Sequence, residues 1–196
     1  MSIFIFRRDF RKQDNTGLIE CCKHNKSVYP IFIFTPEQIT DNRYKSSNAV
    51  QFMIESLKDL KQNIGTLNIL YGDYLKVLKD IVVANNITSI YTNTDYTPYA
   101  KFRDAEIEKL CQKLKIKFYC FHDICLLKPG IILNKSDKPY QKFTPFYKTC
   151  IKQTPPPVNK YNVSSDNFKS ISSIYSIDWK TVDTYYTYNP SLNIIG

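Results

Sequence analysis

The stretch FRRDFRKQDN, residues 6–15, holds four basic side chains (Arg7, Arg8, Arg11, Lys12) and two aspartates (Asp9, Asp14) without a single glycine, directly behind the apolar opening MSIFI. In a nucleotide-binding α/β protein the loop in that place carries glycines, which let a pyrophosphate approach the backbone. Here charged side chains replace that approach. Two further segments have compatible chemistry, FTPEQ at 34–38 and TNTDYTPYAKFRD at 92–104. Between them the three segments supply Arg7, Arg8, Asp9, Arg11, Thr35, Asn93, Asp95, Tyr96 and Tyr99. Carboxylates and amides bond the edges of a planar ring, and tyrosines pack on its faces, so the set suits a polar aromatic ligand. A second reading stays open. Asp9 and Asp14 can simply cap or brace their loop, and Arg103–Asp104 can be a local ion pair. Neither reading supplies a catalytic constellation. His24 falls in a predicted helix and His122 after a predicted strand, with no nucleophile beside either, and no phosphate-cradling loop, HExxH or serine elbow is present.

These segments need elements to hold them. Short apolar runs at 2–6, 28–34, 67–71, 89–92 and 117–121 are nearly continuous in Ile, Val, Phe and Tyr, as strands buried on both faces should be. Four helices of helical period lie between them. The first covers about 15–24, capped by Asp14 or Asn15. The second, about 48–64, sets Met53, Leu57, Leu60 and Ile64 in one stripe behind a Ser47 cap. The third follows an Asp73 cap, with Leu75, Leu78 and Val82 inward. The fourth opens with Thr97 as cap and Pro98 at its first position, and buries Ile107, Leu110 and Leu114. Strands alternating with helices predict an α/β fold: a doubly wound, five-stranded parallel sheet of Rossmann-like form. Ligands of such sheets sit at the carboxyl ends of the strands, where all three chemistry-bearing loops would meet.

After residue 121 the alternation stops. A loop, a turn at KSDK and a short helix over 143–151 lead into the proline-rich KQTPPPVNKY, and the remaining tail is rich in Ser, Tyr, Asn and Thr without period. The expected organisation is an α/β domain over 1–130, a closing segment over 131–153 and an irregular linker remnant over 154–196.

The net charge of +9 permits an anionic partner, nucleic acid included, but the basic residues are scattered and equally describe a solvated surface. Six cysteines with no signal peptide ahead of them predict reduced, mostly buried thiols in an intracellular protein. Cys120 and Cys125 lack zinc-ligand spacing, so no metal site is expected, and no apolar run is long enough to span a membrane.

The motifs carry a resemblance as well. FRRDFRKQDN resembles the Phe-Arg-Arg-Asp-Leu-Arg-x-x-Asp-Asn signature that opens DNA photolyases and cryptochromes. NAVQFMIESLKDL (48–60), DYTPYAKFRD (95–104) and KPYQKFTPFYK (138–148) are similar to three later segments of that family, in the same order and spacing. Together they cover residues 2–150. The resemblance implies an N-terminal α/β domain that holds an antenna chromophore: a folate, a deazaflavin or a flavin such as FMN. In the family a linker then leads to an all-helical domain that binds FAD and DNA, where reduced FAD repairs a flipped-out pyrimidine dimer with light energy.

By that resemblance, Arg8, Asp9, Thr35, Asn93, Asp95 and Tyr96 are the expected chromophore-binding residues. Arg7, Arg11, Asn15, Arg103, Asp104, Phe143 and Phe146 are the expected structural and interdomain ones. Thr35 stands where many relatives carry aspartate. The FAD and DNA sites are expected to be absent from this chain, so catalysis by it alone is not expected. The leading expectation is the antenna and scaffold portion of a split or truncated photolyase, docked to a separately encoded FAD-binding domain and meeting DNA only through it. The alternatives are a vestigial photolyase fragment and a free-standing nucleotide- or flavin-binding module.

Overall fold

The first two strands share one motif, Ile-Phe-Ile-Phe at 3–6 and again at 31–34. Successive side chains of a strand point to opposite faces. The motif therefore sends phenylalanines to one side of the sheet and isoleucines to the other. The computed structural model, which describes residues 1–192, is built on that division. Strands β1 (Ser2–Ile5), β2 (Val28–Phe34), β3 (Asn68–Tyr71), β4 (Ser89–Asn93) and β5 (Lys117–Phe121) form one sheet in the order β3-β2-β1-β4-β5. Every pairing is parallel. The chain winds outward one way from β1 and then the other, so strand order reverses between β1 and β4, at the centre of the sheet.

Helices α1 (Thr16–His24) and α3 (Ser47–Ile64) cover the phenylalanine face. Phe4, Phe6, Phe32 and Phe34 bury there with Leu18, Ile54 and Leu57. Helices α4 (Tyr74–Ala84) and α5 (Pro98–Leu114) cover the isoleucine face, where Ile3, Ile5, Ile31 and Ile33 meet Leu78, Ile81 and Ile107. Between β2 and α3 lies a single-turn helix, α2 (Pro36–Ile39), too short to show a period in the sequence. Asn15, Asp73 and Thr97 cap α1, α4 and α5 through their side chains. The cap of α3 is Ser46, not Ser47, whose hydroxyl instead accepts the Thr187 N–H at 2.7 Å. In α3 the buried stripe begins at Val50 and Ile54, with Met53 only half-buried. In α4 and α5, Val77 and Cys111 take fully buried places, while Leu75, Leu110 and Leu114 pack at the edge of the core.

Helix α6 (Phe143–Cys150) buries none of its residues. Beyond it the chain is mostly irregular, with a 3₁₀ turn at Ser165–Asn167 and a short helix α7 (Trp179–Asp183). The last four positions of the expected linker remnant lie outside the described residues. The part that is described packs closely. Val163, Phe168, Ile171 and Val182 are buried in the two cores. The Tyr71 N–H donates to the Tyr175 carbonyl at 2.9 Å and the Ile177 N–H to the Ile69 carbonyl at 3.1 Å, so the outer edge of β3 is occupied. A bare strand edge invites pairing with another chain, and this segment blocks it. Tyr175 also explains Gly72, whose φ is +148°: a Cβ there would sit 3.3 Å from the Tyr175 ring and 3.0 Å from Val77. All six cysteines are free; Cys21, Cys22 and Cys111 are buried, whereas Cys120 and Cys125 are exposed. Burial pushes the Cys22 thiol up to about 12 and the Cys111 thiol up to about 11. No helix of the described residues is long and apolar enough to cross a membrane.

Candidate functional site

The loop of residues 6–15 leaves β1 at the reversal of strand order, and its charges sort into an inner brace and an outer rim. The brace centres on Asn93, the last residue of β4 and 3% exposed. Its amide nitrogen donates to Asp9 Oδ2 at 2.5 Å and to Asn15 Oδ1 at 2.8 Å, and its Oδ1 accepts the Gly17 N–H at 2.9 Å. Asn15 closes the circuit. Its amide donates to the Asp9 and Arg11 carbonyls, and its Oδ1 accepts the Leu18 N–H as the α1 cap. Asp9 Oδ1 accepts the Arg7 N–H at 2.9 Å. Burial raises the Asp9 carboxyl above the usual range, against the lowering effect of these donors. Gly17 is required where α1 crosses β4, because a Cβ would lie 2.5 Å from Asn93 Oδ1.

A second brace holds the loop from outside. Arg11 pairs with Asp123 at 2.6 Å and donates to the Asp14 carbonyl, and Asp123 also accepts the Thr16 N–H at 2.8 Å. Asp123 follows β5, and sequence reasoning passed over it. Its place at the carboxyl end of a predicted strand was the available signal.

Towards α5, Arg7 grips Asp104 with both terminal nitrogens, at 2.9 and 2.8 Å. Arg103 reaches the same carboxylate through Nε at 3.1 Å, and its guanidinium lies 5.6 Å from the ring centres of both Tyr74 and Tyr99. On the rim, Asp95 accepts the Thr97 N–H at 3.1 Å and faces the exposed Arg8 at 3.7 Å. Burial alone would raise the Asp95 carboxyl, but the Thr97 N–H, Arg8 and Arg103 outweigh it, and its pKa falls below the ordinary value of 3.8.

These elements surround a cleft of about 870 Å³ at the carboxyl ends of β1, β2 and β4. Its floor is apolar, made by Phe6, Phe10, Phe32, Ile33 and Met53. Its polar walls come from Arg7, Arg8, Thr35, Asp95, Tyr99 and Arg103, with Tyr74 from the start of α4 and the carboxylates Glu37 and Asp41 from α2 and the loop after it. Arg43 and Tyr44 in the α2–α3 loop, which sequence reasoning also missed, stand at the mouth. The volume lies within the range of sites that bury a drug-sized molecule.

Of the residues expected at a chromophore, Arg8, Thr35 and Asp95 line this cleft. Asp9 and Asn93 lie behind it, their polar atoms engaged within the protein. The Tyr96 hydroxyl is 2.5 Å from His122 Nδ1, and Tyr96 does not line the cleft. Phe143 and Phe146 stand apart on α6, 74% and 39% exposed.

The family model for DNA photolyase matches residues 2–162. The deoxyribodipyrimidine photo-lyase of Buchnera aphidicola subsp. Baizongia pistaciae is 32% identical over 197 residues, covering 96% of this chain and 41% of the relative. Cryptochrome-2 of Arabidopsis thaliana is 26% identical over 155 residues, covering 76% of this chain and 25% of its own. Among solved structures, the archaeal photolyase of Sulfolobus tokodaii, described with two FAD molecules and the implication of a novel light-harvesting cofactor, superposes with a TM-score of 0.82. It is 33% identical, and the match takes in 100% of this chain and 44% of that one. The Synechocystis cryptochrome shares the fold, with a TM-score of 0.80 at 18% identity over 93% of this chain and 40% of its own. The chain thus spans less than half the length of each of these relatives.

Proposed function

The chain belongs to the DNA photolyase family, and from that premise we propose that it is the antenna portion of a photolyase-type assembly. In this reading the cleft at the carboxyl ends of β1, β2 and β4 holds a light-harvesting chromophore, and the chain works beside an FAD-binding portion, joined to it or separately encoded. The observation that carries the proposal is the cleft itself: an apolar, aromatic floor under a polar rim, placed where the strand order of a doubly wound sheet reverses. The Sulfolobus relative, described with a second FAD, supports the same assignment.

Each residue then has a role. The floor residues Phe10, Phe32 and Met53 exclude water from one face of a planar ring. Arg8, Thr35 and Asp95 meet its polar edge or side chain. Asp9, Asn15 and Asn93 contact no ligand and hold the loop that carries Arg7 and Arg8. Arg11, through Asp123, fixes the far end of that loop. Phe143 and Phe146, exposed on α6, offer apolar contact to the FAD-binding portion. The chromophore, when bound, supplies blue or near-ultraviolet absorption and passes the excitation to FAD; DNA is met only through that second portion.

The test is reconstitution. The purified chain is incubated with a folate, a deazaflavin and FMN in turn, desalted, and its absorbance recorded. A retained band with a shifted maximum supports the proposal. A folded chain that retains none of the three contradicts it.

A further inference from the structure

The mouth of the cleft and the end of the tail are each fastened less by the core than by one another. The α2–α3 loop, which supplies Asp41, Asn42, Arg43 and Tyr44 to the mouth, exposes every residue from Thr40 to Lys45 and the Ser46 cap after them. On the tail, Val182 is fully buried, and no residue from 183 to 192 is buried after it. Polar bonds join the two segments. Lys45 Nζ donates to the Tyr185 carbonyl at 3.0 Å. The Ser47 hydroxyl accepts the Thr187 N–H at 2.7 Å and donates to the Thr187 carbonyl at 3.2 Å. The Gln51 amide, 2% exposed, grips the main chain of Asn189 at two points. Its Oε1 accepts the N–H at 2.8 Å and its Nε2 donates to the carbonyl at 3.2 Å. The Asn189 side chain donates to Asn48 Oδ1 at 3.1 Å. The half-buried rings of Tyr185 and Tyr186 pack at the edge of the phenylalanine-face core. From Tyr185 a file of ring contacts runs inward, to Phe34 at 5.3 Å, then Phe32 at 4.8 Å, then Phe10 at 5.6 Å. The last two are the floor of the cleft.

We infer that residues 40–47 and 183–189 form a latch, one cooperative unit that opens and closes the mouth of the cleft. The inference adds regulation to the antenna reading and rests on that reading for what passes the mouth. Segments with few buried apolar contacts open locally, far below the free energy of global unfolding. Here neither segment opens alone without cost, because the tail's departure strips two partners from the buried Gln51 amide at once. The coupling is reciprocal. Whatever holds residues 183–189 down keeps the mouth closed, and whatever displaces them opens it. A molecule resting on Phe10 and Phe32 in turn steadies Phe34 and the Tyr185 ring upon it.

The experiment perturbs each side and reads the other, on the full chain without ligand. Ser47→Ala removes the α3 side of one attachment, and hydrogen exchange is read at the Asn189 amide, whose own acceptor, Gln51, is untouched. Tyr185→Leu weakens the tail side. It is read at the amides of Ala49 and Val50, both bonded to Ser46, and by tryptic cleavage after the exposed Arg43. The expected result is an acceleration of about three- to tenfold across the latch in both directions. The Phe6 amide, bonded to the Ile31 carbonyl in the sheet, remains protected in both variants and shows that the fold stands. A variant whose effect stays on its own side, in either direction, overturns the latch, as does exchange unchanged in both. Because no ligand is present, the antenna reading stands or falls separately, by reconstitution.

Discussion

Asn93→Ala is the most informative single change. The substitution removes three hydrogen bonds from a site shut off from solvent: to Asp9 Oδ2, to Asn15 Oδ1 and from the Gly17 N–H. Asn15 Oδ1 keeps the Leu18 N–H, so its loss is partial. The Asp9 oxygen and the Gly17 N–H lose their strongest partners, at roughly 1–3 kcal/mol each for a buried group left unsatisfied. The expected cost is about 3–5 kcal/mol, a large share of the roughly 5–15 kcal/mol that holds a domain together. For a chain of this length that lowers the melting midpoint by roughly 10 °C. Urea unfolding followed by circular dichroism gives the free energy, and hydrogen exchange at the Gly17 amide shows whether the loss is local to the start of α1. A change below about 1 kcal/mol, well short of one unsatisfied buried group, would refute the brace.

Gly17→Ala gains up to about 1 kcal/mol of helix propensity. Its Cβ nevertheless meets Asn93 Oδ1 at 2.5 Å, so net destabilisation is expected in the same unfolding assay, and less of it in an Asn93→Ala background. Val182→Ala in α7 should cost about 1–3 kcal/mol, because Val182 is fully buried in the phenylalanine-face core; a loosely attached tail would give no change. The Asp95 carboxyl is held below its ordinary 3.8, so its contribution to stability is present above that value and is lost as pH falls through the lowered one. Asp95→Ala should therefore flatten the acid limb of a stability-versus-pH curve below about pH 4 and leave the neutral region nearly parallel to wild type.

Much of this fold is legible in the sequence because the sheet is buried on both faces. Strands of that kind are continuous apolar runs, and the helix caps Asn15, Asp73 and Thr97 precede their helices in plain view. The tail is not legible. Its contacts come from Val163, Phe168, Ile171 and Val182, spaced without period, so burial there leaves no pattern to read. At the site, the rule that ligands sit at the carboxyl ends of strands locates the right loops, but it does not separate a rim from a brace. Asp9 and Arg8 are neighbours of similar polarity, yet one points into the protein and the other lies 69% exposed beside Asp95. Tyr74, just beyond the end of β3, lay within reach of the same rule. Met53 and Arg43 did not, since the side of α3 and the loop before it close the cleft only once packed.

The central claim is that the cleft holds a chromophore, and gel filtration of the chain with a light-absorbing ligand tests it most directly. Met53, half-buried on the cleft floor, is replaced by tryptophan, which fills the space a ring would occupy. The account predicts that one of the folate, deazaflavin or flavin ligands co-elutes with the wild-type chain in a fixed ratio and is lost from Met53→Trp, with both proteins folded. Equal co-elution with both proteins would place the ligand elsewhere and contradict the account.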